Sequence, residues 1–222
     1  MIHAKEVSLT YRDGTKALHE LSFQIEKGDL IFIIGPSGSG KTSLMKLLIG
    51  SEKVSSGEVT VFGEKPYCLS KRKLASLRRR IGPIFQDFRL IQGKSAIENV
   101  LLGLRFLKWQ PIEMKKSAQE ALEKVGLWEK SHRKVENLSW GEGQRVSIAR
   151  AVARKPELIL ADEPTGNLDH DNAVKILQLL ASFRNQNTTV IITTHAVHLL
   201  EDFRNITIMH MEQGKMNIER RA

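Results

Sequence analysis

Leu30-Ile31-Phe32-Ile33-Ile34-Gly35-Pro36-Ser37-Gly38-Ser39-Gly40-Lys41-Thr42 is the stretch that decides the fold. Its first five residues are continuously apolar and mostly β-branched, the pattern of a strand buried on both faces. A glycine-rich turn follows, and Lys41 to Ile49 reads as a helix. Strand, glycine turn and helix in that order form the setting of a phosphate-binding loop. Glycines at 35, 38 and 40 let the backbone bend tightly and approach an anion without Cβ clashes. Several N–H groups can then converge on one anion, and the helix start adds about half a positive charge. Lys41 can reach the β- and γ-phosphates of a nucleotide, and the Thr42 hydroxyl can ligate Mg²⁺. Candidate nucleotide contacts therefore run over Gly35, Pro36, Ser37, Gly38, Ser39, Gly40, Lys41, Thr42 and Ser43.

Working outward, Glu6 to Tyr11 and Leu21 to Ile25 read as strands around the turn Asp13-Gly14, and Glu58 to Phe62 as another. From about Ser95 to Lys134 the pattern changes: Ile112, Lys115, Ala118, Ala121, Leu122 and Val125 recur at helical spacing, as in a helical lobe inserted into an α/β core. A helix runs from Ser139 to about Arg154. Leu158 to Ala161 and Thr189 to Thr193 are further buried strands, Asp169 to Arg184 a helix, and Asn205 to Ile218 a terminal β pair around Gln213-Gly214. Alternating strands and helices predict a largely parallel sheet with helices on its faces.

At 222 residues the chain can bury a core without metals or disulfides, and its single cysteine, Cys68, has no internal partner, which fits a reducing compartment. The longest apolar runs are about five residues against the ~20 needed to cross a bilayer. The start Met-Ile-His-Ala-Lys-Glu has no apolar signal segment behind it, so a cytosolic or peripheral protein is expected. The formal charge of +9 suits nucleic acid, an anionic membrane or a phosphate ligand. Lys71-Arg72-Lys73, Arg78-Arg79-Arg80, Lys115-Lys116 and Arg133-Lys134 read as solvated helix faces or contacts to anionic headgroups or an acidic partner loop. Nucleic acid is not expected, because no aromatic interleaving or binding motif accompanies these charges.

A second chemical element is Asp162-Glu163, at the end of the strand Leu158 to Ala161. Ligands in open α/β sheets collect at such strand ends. Asp162 fits the metal–water role and Glu163 the general base that activates a water. Ser139-x-x-Glu142 is a capping box that starts a helix, and an exposed capped start is itself an anion site. His195 and His198 lack a third ligand nearby in sequence and do not predict a metal pair.

The order phosphate loop, Phe85-Gln86-Asp87, Leu138-Ser139-Trp140-Gly141-Glu142, Asp162-Glu163 and His195 resembles the ATP-binding subunit of ABC transporters, over essentially the whole chain. The resemblance implies an α/β P-loop NTPase of the ABC type: a RecA-like mixed-sheet core with an N-terminal antiparallel β subdomain and an inserted helical subdomain. It implies one nucleotide-binding domain over 1–222, with 1–94 and 135–222 as core and about 95–134 as the helical subdomain. It further implies Tyr11 stacking on adenine, or else packing as a strand-end aromatic. Gln86 would sense the γ-phosphate through metal and water, and His195 would contact it. Ser139, Gly141 and Glu142 would form the element that binds the γ-phosphate held by an opposite subunit. Asn167-Leu168-Asp169 resembles a loop that touches that subunit, with Asp169 also a helix cap. ATP and Mg²⁺ are the implied ligands, and an ATP-dependent homodimer the implied assembly.

Within the family, Phe85 to Leu90 and Asp162 to Asp169 are similar to the cell-division branch, the FtsE proteins; the second stretch is shared with lipoprotein-releasing and macrolide-type exporters. The cell-division branch implies a four-span integral membrane subunit, an FtsX-like permease, and residence at the cytoplasmic face of the inner membrane. Phe88, Leu90 and Ile91 are apolar candidates for a docking groove or for the core of the helical lobe. One departure stands out. The family usually has glycine at the place of Trp140 and commonly glutamine at that of Gly143. An indole costs energy if position 140 takes positive φ or must approach the facing phosphate loop closely, which predicts altered dimer closure or slow hydrolysis, or a nucleotide-dependent scaffold.

Overall fold

A computed structural model of the chain describes residues 1–166 and 168–221. The elements run β1 (Ile2–Thr10), β2 (Lys16–Ile25), β3 (Leu30–Ile34), α1 (Lys41–Leu48), β4 (Ser56–Val61), α2 (Lys71–Arg79), β5 (Ile81–Ile84), α3 (Ala96–Leu104), α4 (Pro111–Lys124), α5 (Trp140–Val152), β6 (Leu158–Asp162), α6 (His170–Ser182), β7 (Thr189–Thr194), β8 (Ile206–Glu212) and β9 (Lys215–Arg221). Two sheets result: an antiparallel one of order β2-β1-β4, and a six-stranded one of order β5-β6-β7-β3-β8-β9, parallel except for its last strand.

β3 sits inside the larger sheet, and its alternate residues feed different cores. Leu30, Phe32 and Ile34 join the face covered by α3 to α6. Ile31 and Ile33 join the face covered by α1, α2 and the antiparallel sheet. Burial on both sides is why the run carries no polar alternation. β6 divides in the same way, with Ile159 and Ala161 on one side and Leu158 and Leu160 on the other.

Three elements depart from the reading of the sequence. β1 and β2 extend further back than expected, because irregular pairing around Glu6 (φ 50°) and Glu20 (φ 48°) breaks their alternation. β5 was not foreseen, since Gly82-Pro83 reads as a breaker. It is tolerated as the edge strand of the sheet, where proline loses no ladder bond, and Gly82 lets α5 approach: a Cβ there would lie 2.9 Å from the Ala151 carbonyl. The basic runs at 71–73 and 78–80 belong to α2 and its end, capped by Ser70. The terminal pair forms as expected, with Gln213 (φ 46°) and Gly214 (φ 75°) making the two-residue turn between Glu212 and Lys215.

Candidate nucleotide site

β3, β6 and β7 end at the same edge, with Ile34 beside Thr194 and Asp162 beside Thr193. The loops that leave these strands therefore meet. After β3 comes the glycine loop. Its outer face is the exposed run Pro36, Ser37 and Gly38, while Ser39 and Gly40 are buried. The Ser39 hydroxyl lies within the protein without a hydrogen-bond partner. Two glycines are required by space. A Cβ on Gly35 would fall 2.0 Å from the Met211 carbonyl oxygen, and one on Gly40 (φ 106°) 2.5 Å from that of Ala17. The loop is thus pressed onto β2 and β8 and can only be backbone there.

Lys41 opens α1 and folds back over the loop. Its Nζ donates to the carbonyls of Gly35 (2.7 Å) and Pro36 (2.9 Å) and lies 3.3 Å from Glu163 Oε1. The next residue, Thr42, donates from its hydroxyl to Asp162 Oδ1 at 3.3 Å. Ser43 then shares a 3.0 Å hydrogen bond with the Tyr11 hydroxyl, and the Lys46 ammonium stands 5.8 Å from the Tyr11 ring centre. Tyr11 is half-buried and packs partly on the core, so both roles expected for it are compatible with its position.

Glu163 occupies a left-handed conformation, φ 47°. A non-glycine residue there costs about 1–3 kcal/mol and persists only where neighbours overdetermine it. Those neighbours are visible. Its N–H donates to Thr193 Oγ1 at 2.9 Å, its Oε1 faces Lys41, and its Oε2 bonds His195 Nδ1 at 2.8 Å. The same Thr193 hydroxyl donates to Asp162 Oδ1 at 2.8 Å. Thr193, fully buried, thus orients both acidic residues. The sequence offered no signal for it, because a threonine ending a β-branched strand looks like any other. Thr42 and Asp162 fit Mg²⁺: a hydroxyl and a carboxylate held together supply the sparse set of hard oxygens that this ion takes when phosphate and water complete its shell.

Ser139 caps α5 as expected. Its hydroxyl accepts from the Glu142 N–H at 3.3 Å, and Glu142 Oε2 accepts from the Ser139 N–H at 2.9 Å. Glu142 also pairs with Lys130. The Lys130 ammonium and then the Ser139 amide hold its carboxyl below the usual carboxylate range. Gly141 faces Leu168, whose Cδ2 would stand 3.6 Å from a Cβ there. Among the described residues Ser139 and Glu142 make no hydrogen bond to the glycine loop, to Asp162 or to Glu163. Gln86 lies against Gly166, its Nε2 3.4 Å from where a Cβ would be, without a hydrogen bond to Thr42 or Asp162. Asp169 caps α6 by accepting from the Asn172 N–H at 3.0 Å, while Asn167 lies outside the described residues.

A family model described as ABC transporter matches residues 18–166, a span that holds the glycine loop, Gln86, the start of α5 and the Asp162-Glu163 pair. The chain belongs to the ABC transporter family.

Relatives in the ABC family named cell division ATP-binding protein FtsE are similar over nearly all of both chains. That of Haemophilus influenzae is 40% identical over 96% of this chain and 98% of its own. That of Escherichia coli K12 is 39% identical over 96% and 98%, and that of Bacillus subtilis 36% over 96% and 93%. Among solved structures, CbiO1 of Clostridium perfringens, part of an ABC transporter complex, superposes with a TM-score of 0.90 at 28% identity, over 99% of this chain and 88% of that one. The dimeric bacterial ABC cassette MJ0796 gives 0.88 at 36% identity over 99% and 98%. Its dimer in a post-hydrolysis state with ADP and phosphate gives 0.87 at 34% identity over 99% and 98%.

One expectation set against the ABC pattern needs correction. Trp140 does not take positive φ; it is the first residue of α5, with ordinary helical backbone, so the backbone strain foreseen for an indole there is absent. Of the apolar candidates for a docking groove or for the core of the helical lobe, Phe88 is half-buried, packing on Trp140 and beside Gly143, and Leu90 is half-buried against the core. Ile91 alone of the three is exposed, at 51%.

Proposed function

We propose that this ABC chain binds and hydrolyses ATP as an ATP-dependent homodimer, drives an integral membrane subunit of the FtsX-like permease type, and acts in cell division at the cytoplasmic face of the inner membrane. The observation that carries the hydrolytic reading is the chain of contacts Gly35–Lys41–Glu163–His195, which joins the phosphate cradle to a carboxylate at 3.3 Å and an imidazole 2.8 Å beyond.

In this reading residues 1–222 form one nucleotide-binding domain, with core 1–94 and 135–222 and the helical subdomain at about 95–134. The glycine-loop amides and Lys41 bind the β- and γ-phosphates, and Tyr11 lies beside the base. Thr42, Asp162 and Gln86 would hold Mg²⁺, which would offset phosphate charge. The Glu163 carboxylate takes a proton from water as its oxygen attacks the γ-phosphorus and the bond to the β-phosphate oxygen breaks. His195 orients that carboxylate and meets the γ-phosphate. The capped start of α5, with Ser139, Gly141 and Glu142, points its free amides at the nucleotide of the second subunit; among the described residues it makes no bond to its own glycine loop.

The membrane subunit docks at the apolar end of a cavity of about 670 Å³, formed by Met45, Leu74, Phe85 and Phe106, whose other end reaches Thr42 and Asp162 of the nucleotide site. Among the described residues no helix is long and apolar enough to cross a membrane, so a separate spanning subunit supplies that part. Isolation of the tagged chain from detergent-solubilised membranes, followed by phosphate release with and without the co-isolated subunit, tests the reading. A four-span partner that raises the Mg-ATPase rate is expected. Trapped lipoprotein would favour an exporter role, and absence of ATP binding would overturn the proposal.

A further inference from the structure

Trp140 and Gly143 share a neighbour. The Phe88 ring centre lies 4.4 Å from that of Trp140, at an interplanar angle of 60°. A Cβ on Gly143 would stand 3.3 Å from Phe88 Cε2 and 3.4 Å from its Cδ2. Positions 140 and 143 lie on one face of α5, so the indole forms one wall of a slot and the bare glycine its floor. A Cβ at 143 would already press on the edge of the phenyl ring. Glycine at 140 with glutamine at 143 has neither the wall nor the room. Trp140 and Gly143 therefore act on the same ring.

The backbone under the ring is strained. Phe88 (φ 55°) and Arg89 (φ 50°) are consecutive non-glycine residues in the left-handed region. Such a pair persists only when its surroundings hold it. α5 supplies the restraint. The Arg150 guanidinium donates to the carbonyls of both Phe88 and Arg89, and the Ser147 hydroxyl reaches the Phe88 carbonyl at 3.5 Å. Contacts at 140, 143, 147 and 150 form a single stripe along the helix at the spacing of one face. Gln86 stands two residues before Phe88, with its amide over the turn that follows Glu163. At the other side of that turn, Gln144 of α5 donates to the Pro164 carbonyl at 2.8 Å.

We propose that Trp140 and Gly143 grip the Phe88 ring as a clasp that positions Gln86, so that the loop from Phe85 to Ile91 and the helix that starts at Ser139 move as one piece. The inference rests on the ATPase reading of the site for its consequence, though the clasp itself does not. Trp140 is then a positioning residue: it acts on the chemistry through Gln86 and on the second half-site through the helix start.

The test uses the full chain, alone for hydrogen exchange and with its membrane subunit for steady-state ATPase. An aromatic pair is worth about a factor of three to ten in an equilibrium. Trp140→Gly, Gly143→Gln and Phe88→Ala should each raise amide exchange over residues 86–91 by roughly that factor while α1 is unchanged. Each should lower kcat by about three- to tenfold with KM for ATP held within about twofold. Trp140→Phe, which keeps a ring, should restore both readouts, and Trp140→Gly with Phe88→Ala should be no worse than either alone. If Trp140→Gly does not fold, Phe88→Leu, which keeps bulk without a ring, carries the same expectation. Exchange and kcat equal to wild type in these variants, or losses that add in the double variant, would overturn the clasp. A wild-type complex that fails to hydrolyse ATP would sink the ATPase reading instead, and the exchange data would still decide the clasp.

Discussion

Lys41 Nζ and Glu163 Oε1 lie 3.3 Å apart, and the lysine uses its other protons on the Gly35 and Pro36 carbonyls. One ammonium therefore ties the glycine loop after β3 to the acid after β6. Both partners are shielded, with side-chain exposures of 5% and 14%. In such a setting an ion pair is set by geometry more than by screening, and removal of either member changes the other.

Glu163→Gln keeps the shape of the side chain and removes its basicity. The rate of phosphate release should fall by roughly 10²–10⁴-fold, the usual contribution of a positioned base. ATP-bound dimers should accumulate, as read by size-exclusion chromatography with Mg-ATP. A variant that turns over at the wild-type rate would remove Glu163 from the role of base.

Lys41→Ala deletes the ammonium that the proposed function sets against the phosphates. Charge-assisted hydrogen bonds contribute about 1.5–3 kcal/mol, so ATP affinity should drop by roughly 10- to 100-fold. Titration calorimetry on the isolated chain checks this without any need for hydrolysis. Equal affinity would mean that the backbone amides alone hold the nucleotide.

Gly40→Ala and Gly38→Ala separate space from conformation. Both positions have positive φ, 106° and 77°, but a Cβ at 40 meets the Ala17 carbonyl at 2.5 Å and one at 38 meets nothing within 4 Å. Gly38→Ala should cost about 1–2 kcal/mol of unfolding free energy, the penalty of the left-handed backbone. Gly40→Ala adds overpacking and should cost about 3 kcal/mol or more. Denaturant midpoints at constant slope measure both. Equal costs would contradict the close contact with β2.

The cap of α5 should depend on pH. Lys130 and the Ser139 amide lower the Glu142 pKa from its ordinary 4.5. A carboxyl whose folded pKa is depressed adds stability that is complete above the unfolded value and is lost as pH falls through the folded one. The difference in melting temperature between wild type and Glu142→Gln should therefore be largest near neutral pH and shrink steadily below about pH 4.5. A difference that stays constant into acid would show that the carboxylate charge does not hold the cap.

Much of this was legible along the chain. The run Leu30 to Ile34, the glycines after it and the capping box at Ser139 are local patterns. Each depends on residues a few positions apart, and each formed where it was read. β5 was hidden because Gly82-Pro83 breaks a strand by propensity, and only its place at the edge of the sheet makes it permissible. Thr193 was hidden because its two hydrogen bonds reach residues that another strand end brings beside it.

Trp140 is the sharpest case. Read alone, it is an indole where backbone freedom was expected to matter. In the fold it is a helical residue whose ring meets Phe88 from a distant loop, with Gly143 making room. The glycine loop, the order of the chemical motifs and the two-faced burial of the sheet can be read from the residues alone, because short-range periodicity and turn chemistry encode them. It took the folded chain to show that Thr193 holds the Glu163 amide, that Trp140 and Gly143 both meet Phe88, and that among the described residues the start of α5 makes no bond to its own glycine loop. Those features are contacts between segments far apart in the chain, and no local pattern carries them.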